Sequence, residues 1–481
     1  MDKKVMTVLK TQALIDGAWV GASVLPVVDK ATGEEIARVP DFGVRETRET
    51  IDAAQRAFPS WSKLLAKERS SILRRWYELI VEHADELALL LTKEQGKPLA
   101  EARGEILYGA SFVEFYAEQA KRIEGEILPS YRSGTRTLVL KQPVGVVAAI
   151  TPWNFPNAMI TRKVSPALAA GCTVIVKPAE DTPLSALALA ELAMRAGLPK
   201  GVLNVITTSD PAGVGKELST NAIVRALTFT GSTEVGRILM AQAAGTIKKV
   251  SLELGGNAPF IVFDDADLEQ AVAGAIASKF RNAGQTCVCA NRIYVQDGIY
   301  DAFAERLAAA AASLKVGHGT EDGVNLGPLI NEAGLAKVED HVQDALSKGA
   351  VVLIGGKRHA RGGNFFQPTV LKNVRADMKL AREETFGPVA PLFRFADEED
   401  VISQANDTEF GLAAYFYARD LGRVWRVAEA LEYGMVGVNE GVISTELAPF
   451  GGVKQSGIGR EGSQHGVEEF IETKYVLMGG L

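Results

Sequence analysis

Residues 145–150 read Gly-Val-Val-Ala-Ala-Ile and residues 173–177 read Thr-Val-Ile-Val-Lys, two apolar runs of strand length. The second run leads to Thr182 and Pro183, which predict a helix with Thr182 as its N-cap and Pro183 at its first position. Similar apolar runs, each after a helical stretch, occupy residues 202–206, 225–229 and 249–254. Strands that alternate with helices predict a parallel sheet covered on both faces, with ligands at the carboxyl ends of its strands.

The alternation continues on the C-terminal side of this region. Further apolar runs occupy residues 258–263, 292–295 and 350–354. Because 481 residues are too many for one core, we expect a second α/β domain to begin near residue 255. Residues 124–142 and the tail from about 468 fit neither domain, although 470–478 alternate weakly, as an added strand would.

The N-terminal part of the chain carries a strong helical pattern. Apolar residues recur every three or four positions over residues 66–97, which predicts one helix that ends at Gly96 and Pro98. His83 falls on the apolar face of this helix, and we therefore expect it to be a core histidine.

Composition excludes several functional classes. The chain is 47% hydrophobic and 23% charged, as in ordinary globular proteins, and its net charge of −7 comes with no basic stripe for nucleic acid. No apolar run reaches the roughly 20 residues that span a bilayer. Three cysteines and five scattered histidines suit neither a disulfide scaffold nor zinc. We expect a cytoplasmic, metal-free protein without nucleic-acid or membrane partners; a mitochondrial protein without its transit peptide is the alternative.

A candidate nucleophile lies in the run Phe280-Arg281-Asn282-Ala283-Gly284-Gln285-Thr286-Cys287-Val288-Cys289. A thiolate can add to an aldehyde, and the adduct can lose hydride to a nicotinamide before water releases the product. The alternative for Cys287 is a buried structural cysteine, the commonest state of a free thiol. Cys289 could form a strained, easily reduced disulfide with Cys287, or it could pack beneath the site.

A candidate base lies upstream in Leu252-Glu253-Leu254-Gly255-Gly256-Asn257. Partial burial raises the pKa of a carboxyl group, so that Glu253 could take a proton near neutral pH. It could activate Cys287, a deacylating water, or both; an N-cap or an ion-pair partner is the structural alternative. Because Glu253 ends the first predicted sheet and Cys287 belongs to the second domain, we expect the reaction at the domain seam.

These two runs resemble the aldehyde dehydrogenase superfamily, and the resemblance covers nearly the whole chain. Five further blocks follow in the family's order: Thr151-Pro152-Trp153-Asn154-Phe155-Pro156, Lys177-Pro178-Ala179-Glu180, Phe229-Thr230-Gly231-Ser232-Thr233-Glu234-Val235-Gly236, Glu383-Glu384-Thr385-Phe386-Gly387-Pro388 and Pro449-Phe450-Gly451-Gly452. One block alone would be weak evidence, whereas seven in order are very specific. Residues 278–282 and 287–289 are most similar to the succinate-semialdehyde dehydrogenases.

The resemblance implies an α/β fold with two doubly wound domains and a small β extension. Residues 1–123 and 143–254 would form a Rossmann-like dinucleotide-binding domain, and residues 255–453 a catalytic domain. Residues 124–142 and 468–481 would form an oligomerisation extension. The resemblance also implies a homo-oligomer, a dimer of dimers.

The resemblance further implies roles for the residues of a nicotinamide-dependent site. Cys287 would be the nucleophile and Glu253 the base, while the Asn154 amide and the Cys287 backbone N–H would form the oxyanion hole. The implied dinucleotide site lacks GxGxxG, and residues 231–236 take its place with a helix N-terminus for the pyrophosphate. The implied cofactor-binding residues are Trp153, Lys177, Glu180, Gly231, Ser232, Glu384 and Phe386. We expect NAD to be preferred over NADP, because a 2′-phosphate would meet the Glu180 carboxylate.

The implied substrate is succinate semialdehyde or a similar short ω-carboxy aldehyde, oxidised to the dicarboxylic acid through a thiohemiacetal and a thioester. Arg162, Arg281 and Ser444 match the carboxylate pocket of the resembling enzymes, with an ion pair elsewhere as the alternative for either arginine. A glutarate-semialdehyde or broader-range enzyme is the nearest other interpretation. Glu253 argues against a CoA-acylating relative, and an intact Cys287 and Asn154 argue against an inactive structural homologue.

Overall fold

The computed structural model describes residues 7–480, and its largest sheet has eight strands. In spatial order these are β19 (Gly457–Ile458), β11 (Lys249–Glu253), β10 (Val224–Thr230), β7 (Val146–Ile150), β8 (Thr173–Lys177), β9 (Leu203–Val205), β1 (Ala13–Ile15) and β2 (Ala18–Val20). The five strands from β11 to β9 are parallel and coincide with the five predicted runs. The outer three strands pair antiparallel.

Both faces of this sheet are buried, as the continuous apolar runs predict. In β7, Val147 and Ala149 pack into one core, whereas Val146, Ala148 and Ile150 pack into another on the opposite face. All five residues are at most 7% exposed.

A seven-stranded sheet forms the second α/β unit. In spatial order its strands are β14 (Val351–Ile354), β15 (Thr369–Lys372), β16 (Val389–Phe395), β13 (Ala290–Gln296), β12 (Ala258–Val262), β17 (Ala413–Tyr417) and β18 (Met435–Val438). All pairings are parallel except that of β14 with β15. The sequence predicted only β12, β13 and β14 of this sheet, yet the α/β architecture with two sheets is confirmed.

Helices cover the sheets and connect their strands. They are α1 (Val44–Ser62), α2 (Ala66–Glu82), α3 (Ala84–Gln95), α4 (Leu99–Gln119), α5 (Ala158–Ala170), α6 (Pro183–Arg195), α7 (Pro211–Thr220), α8 (Thr233–Ala243), α9 (Leu268–Lys279), α10 (Tyr300–Ala312), α11 (Glu332–Ser347), α12 (Lys379–Arg382), α13 (Glu398–Asn406) and α14 (Leu421–Ala430). Short 3₁₀ turns include Arg281–Gly284 and Gln464–Phe470.

The single helix predicted over residues 66–97 is wrong. The helix is interrupted at His83, which has φ −99° and ψ 16° and joins α2 to α3. The His83 ring is half-buried and lies 3.3 Å from the Glu86 carboxylate, so it is a polar junction residue rather than a core histidine. Apolar spacing continues through the break because both helices pack into the same core.

Two smaller sheets complete the described part of the chain. Strands β5 (Glu126–Leu128), β6 (Thr135–Pro143) and β20 (Ile471–Gly479) form an antiparallel sheet from the two segments that fitted neither domain. Strands β3 (Leu25–Val28) and β4 (Glu35–Val39) form a hairpin. Within residues 7–480 no helix combines the length and apolarity that crossing a bilayer requires.

Candidate active site

The two runs that first suggested chemistry meet where the two large sheets adjoin. Glu253 is the last residue of β11, Ala258 begins β12, and Cys287 precedes β13. At Gly256 the two runs touch, because a Cβ there would lie 2.4 Å from the Cys287 carbonyl oxygen. Only glycine permits this approach. A cavity of about 400 Å³ opens at this point, which we call the seam cavity.

Cys287 is half-buried and lines the seam cavity. Burial raises the pKa of its thiol to about 12, although the positive charge of Arg162 favours the thiolate and opposes the shift. The thiol is therefore protonated near neutral pH and needs a base before it can act as a nucleophile.

Glu253 is buried and unpaired. Its side chain is 2% exposed, and neither carboxylate oxygen has a hydrogen-bond partner among residues 7–480. Burial, reinforced by the negative charge of Glu461, raises its pKa well above the usual range, although Arg162 and Lys163 oppose the shift. The carboxylate packs against Gly451, where a Cβ would lie 2.8 Å from Oε1. Such a group accepts a proton readily at neutral pH.

The Asn154 amide is buried and lines the same cavity. Its Nδ2 donates to the carbonyl oxygen of Gln285, two residues before Cys287, over 3.1 Å. The backbone of Asn154 is fixed as well, since its carbonyl accepts from Lys97 Nζ at 2.8 Å and from Asn282 Nδ2 at 3.0 Å. The Asn154 amide thus lies beside the segment that carries Cys287, and its oxyanion role stays a prediction.

The predicted cofactor residues fall into two groups. Trp153, Gly231, Ser232, Glu384 and Phe386 line the seam cavity. Ser232 caps α8, its hydroxyl accepting from the Val235 N–H, so the helix N-terminus faces the cavity. The rings of Trp153 and Phe386 meet edge to face with centroids 5.5 Å apart. Glu384 accepts from the Gly256 N–H at 3.0 Å, and burial raises its pKa to about 7.

Lys177 and Glu180 form the second group. They lie at the carboxyl end of β8 and form an ion pair with each other. The Lys177 side chain is 4% exposed and that of Glu180 is 41% exposed. A dinucleotide fits an apolar cavity wall, a capped helix N-terminus and polar groups at strand ends. The turn before α8 does not have the sequence GxGxxG.

All three residues of the predicted carboxylate pocket line the seam cavity. Arg162, on α5, is buried and donates through Nε to Glu461, while its Nη2 has no partner among the described residues. Its guanidinium lies over the Phe450 ring at 4.0 Å. The ion pair that the sequence analysis held as an alternative is therefore present, but it leaves part of the guanidinium facing the cavity.

Arg281 and Ser444 are less constrained. Arg281 is half-buried, and its guanidinium lies over the Phe155 ring at 4.8 Å. No carboxylate of the described residues pairs with it within salt-bridge distance, so its N–H groups are available to a ligand. Ser444 is half-buried on the loop that follows β18.

A buried charge cluster next to Glu253 escaped the sequence analysis. Glu461 is 5% exposed and pairs with both Arg162 and Lys163. Lys163 Nζ also donates to Thr228 Oγ1 at 3.1 Å. The two cations hold the pKa of Glu461 below its usual range despite burial. Glu461 lies almost 300 residues from its partners, so no local pattern could reveal the pairing.

The predicted redox partner, Cys289, is buried two residues after Cys287. It is 3% exposed, and its thiol donates to the Gly284 carbonyl oxygen at 3.4 Å. The Lys279 ammonium lies 3.6 Å from its sulfur. Cys172, Cys287 and Cys289 are all free thiols, and the redox role of Cys289 stays a prediction. Within residues 7–480 no group of three or more His, Cys, Asp or Glu side chains could hold a metal ion.

Comparison with known proteins agrees with this geometry. The family model for the aldehyde dehydrogenase family matches residues 19–476. Succinate-semialdehyde dehydrogenase [NADP(+)] GabD of Escherichia coli is 64% identical, with 98% of both chains covered. Glutarate-semialdehyde dehydrogenase of Pseudomonas aeruginosa is 62% identical over the whole of both chains.

Solved structures give the same result. The crystal structure of succinate-semialdehyde dehydrogenase from Burkholderia pseudomallei superposes with a TM-score of 0.98 and 61% identity, and the alignment covers the whole of both chains. The predicted fold and the predicted family are confirmed, and the chain belongs to the aldehyde dehydrogenase family.

Proposed function

We propose that this NAD(P)-dependent aldehyde dehydrogenase oxidises succinate semialdehyde, or a near neighbour with an ω-carboxylate, to the dicarboxylic acid. The observation that carries the proposal is the seam cavity, in which a thiol and two guanidinium groups line the same space. A small aldehyde with a distal negative charge offers a carbonyl to the thiol and a carboxylate to the guanidinium groups. The relatives named for succinate semialdehyde and glutarate semialdehyde support this substrate class.

The chain's own residues account for the chemistry. Glu253 takes the proton of Cys287, directly or through a water, and the thiolate adds to the aldehyde carbon. The Asn154 amide and the Cys287 N–H stabilise the resulting oxyanion. Trp153 and Phe386 would hold the nicotinamide dinucleotide, which would supply the acceptor for the hydride that the adduct loses as it becomes a thioester. Glu253 then activates the water that releases the acid.

Arg281→Ala tests the substrate. Loss of a charge-assisted hydrogen bond costs about 1.5–3 kcal/mol, so kcat/KM for succinate semialdehyde should fall about ten- to a hundredfold. Butyraldehyde, which lacks the carboxylate, should lose much less. Arg306→Ala is the matched control, because its guanidinium pairs with Glu269 on the surface. An equal loss for both aldehydes with Arg281→Ala would contradict the proposal.

Chain length separates the two candidate substrates. Glutarate semialdehyde is one methylene longer, which is worth about 1–3 kcal/mol in a tight pocket. We would measure kcat/KM for aldehydes that differ in length and in the terminal carboxylate, with and without CoA. The values rank succinate semialdehyde against glutarate semialdehyde. They also distinguish hydrolysis from CoA acylation, since only an acylating relative would need CoA for NADH formation.

We further propose that NAD is preferred over NADP. Glu180 supports this preference, because its carboxylate would repel the 2′-phosphate of NADP. Two observations favour NADP instead. The Escherichia coli relative is named for NADP(+), and Lys177 beside Glu180 offers the phosphate a cation. Glu180→Ser should shift the ratio of kcat/KM values toward NADP. A wild-type ratio of one or below, NAD over NADP, would contradict the preference.

Other expectations also belong to this proposal. The domain division at residues 254 and 255 is supported by the strand that ends at Glu253 and the one that begins at Ala258. A homo-oligomer is supported by the exposed Ile127, Tyr475 and Met478 on the three-stranded sheet, and a dimer of dimers stays a prediction. A disulfide between Cys287 and Cys289 and a cytoplasmic location stay predictions.

A further inference from the structure

Tyr108 carries a buried hydroxyl group that the chemistry described so far does not use. The residue lies on α4 and lines the seam cavity. Its ring meets that of Phe112 edge to face with centroids 5.0 Å apart, and it packs against Phe155 and Met159. These contacts fix the ring, so the hydroxyl cannot turn away to solvent.

The hydroxyl of Tyr108 has no hydrogen-bond partner in the described part of the chain. An unsatisfied buried polar group of this kind destabilises a fold. A phenylalanine would make the same ring contacts without that cost. A hydroxyl kept unsatisfied at the wall of a cavity therefore points to a ligand that satisfies it.

The surroundings of the hydroxyl specify the charge of that ligand. Burial raises the pKa of Tyr108. The Arg162 guanidinium opposes the shift through its charge and its approach to the phenol oxygen, and the charge of Arg281 opposes it as well. The phenol is thus a proton donor at neutral pH. Arg162 Nη2 is a second buried donor without a partner at the same cavity. Guanidinium groups have no acceptor, so these donors need an anionic ligand with two or more acceptor sites.

We infer that Tyr108 is a substrate-binding residue whose hydroxyl donates a hydrogen bond to the ω-carboxylate of the aldehyde, alongside Arg162 and Arg281. A carboxylate has two oxygens and about four acceptor positions, enough for a phenol and two guanidinium groups. Tyr108 would hold the carboxylate in one orientation and thereby fix the distance between it and the aldehyde carbon. The inference rests on the proposed function and deepens it.

Tyr108→Phe removes only the hydroxyl and so tests the inference directly. We expect kcat/KM for succinate semialdehyde to fall about tenfold, as loss of a hydrogen bond to a charged group predicts, mainly through KM. Activity with butyraldehyde should stay within about twofold. Because the hydroxyl is unsatisfied in the protein alone, the unfolding midpoint should not fall.

Tyr300→Phe is the matched control. Its hydroxyl donates to the Leu392 carbonyl at 3.1 Å and accepts from the Asn373 N–H at 3.0 Å, away from the seam cavity. This variant should lower the unfolding midpoint and leave the ratio between the two aldehydes unchanged. The opposite behaviour of the two tyrosines distinguishes substrate binding from a general effect of removing a buried hydroxyl.

The outcomes separate this inference from the proposed function. If Arg281→Ala discriminates between the aldehydes but Tyr108→Phe changes both equally or neither, the inference about Tyr108 is wrong and the substrate class stands. If Arg281→Ala and Tyr108→Phe both fail to discriminate, the substrate class itself is wrong. Loss confined to the carboxylate-bearing aldehyde in both variants supports both conclusions.

Discussion

The end of strand β11 and the segment after β19 each place a glutamate in the interior, and the two side chains have opposite environments. Glu253 has no hydrogen-bond partner for either oxygen among the described residues, and burial raises its pKa well above the usual range. Glu461 pairs with Arg162 and Lys163, which hold its pKa below the usual range. Burial is similar, at 2% and 5% exposure, so pairing accounts for the difference.

This contrast assigns different tasks to the two carboxylates. An unpaired buried carboxylate binds protons tightly and suits a base, whereas a doubly paired one is a fixed counter-ion. Glu461 neutralises two cations and holds Arg162 where it lines the seam cavity, so under the proposed function it would position a substrate-binding group. Glu253 has no fixed partner among the described residues, as its predicted role as a base requires. The following variants test whether Glu253 is the base and Glu461 a structural counter-ion.

The largest expected effect is on turnover in Glu253→Gln. General-base catalysis contributes about a hundred- to ten-thousandfold, and kcat should fall by a factor in that range. Because the base must be deprotonated and its pKa is raised, wild-type activity should rise with pH through that pKa, and this limb should disappear in the variant. Steady-state pH profiles of NADH formation measure both effects.

Rapid mixing resolves which step Glu253 serves. If the carboxylate activates only the deacylating water, Glu253→Gln should keep a fast burst of one NADH per site and then stall. If it activates Cys287, whose thiol has a pKa of about 12, the burst itself should slow. A variant that retains wild-type kcat and an unchanged pH limb would show that Glu253 is not the base.

The second expected effect is on stability in Glu461→Gln. Removing one partner of a buried ion pair leaves uncompensated charge and costs about 3–5 kcal/mol; here Arg162 and Lys163 would both lose their counter-ion. Urea unfolding measures the change in the free energy of unfolding. Glu321→Gln is the control, since its pair with Arg361 at 2.7 Å is solvent-exposed and should matter little. Equal small losses in both variants would contradict a structural role for Glu461.

Much of the central architecture follows from sequence because its signals are local. The five parallel strands around β7 are continuous apolar runs, and Trp153, Lys177, Gly231 and Glu253 lie at or just after the ends of these strands. Strands such as β15 to β18 escaped prediction, although Val389–Phe395 and Ala413–Tyr417 are apolar and largely buried. The connection between β15 and β16 contains only α12, a helix of four residues, so the alternation that identified the first sheet is interrupted there.

Side-chain contacts that join distant segments could not be predicted from the sequence. Thr182 precedes α6 as predicted, but its side chain makes no cap hydrogen bond. Glu94, about 90 residues away, accepts instead from the N–H groups of Leu184 and Ser185, each at 2.8 Å. Glu461 reaches Arg162 and Lys163 in the same way. Sequence patterns record which faces are buried, whereas such partners depend on the packed tertiary structure.

The smallest expected effect is a pH-dependent gain of stability in Glu253→Gln. A carboxyl group whose pKa is higher in the folded than in the unfolded protein binds its proton more tightly when folded, so it destabilises the fold as pH rises above about 4.3, the unfolded value. This cost grows until the folded-state pKa is reached. A glutamine carries no titrating proton and avoids the cost. The unfolding midpoint of Glu253→Gln should therefore exceed that of the wild type by more at pH 8 than at pH 5.

Glu461→Gln supplies the opposite sign in the same experiment. The pKa of Glu461 is lowered by its partners, so its contribution to stability is present above the unfolded pKa and is lost only as pH falls through the folded value. Its variant should be less stable than the wild type at both pH 5 and pH 8. A Glu253→Gln protein that is also less stable at pH 8 would mean that the Glu253 carboxylate has a stabilising partner in solution. In that case pairing would not distinguish the two glutamates, and the assignment of the base would rest on kinetics alone.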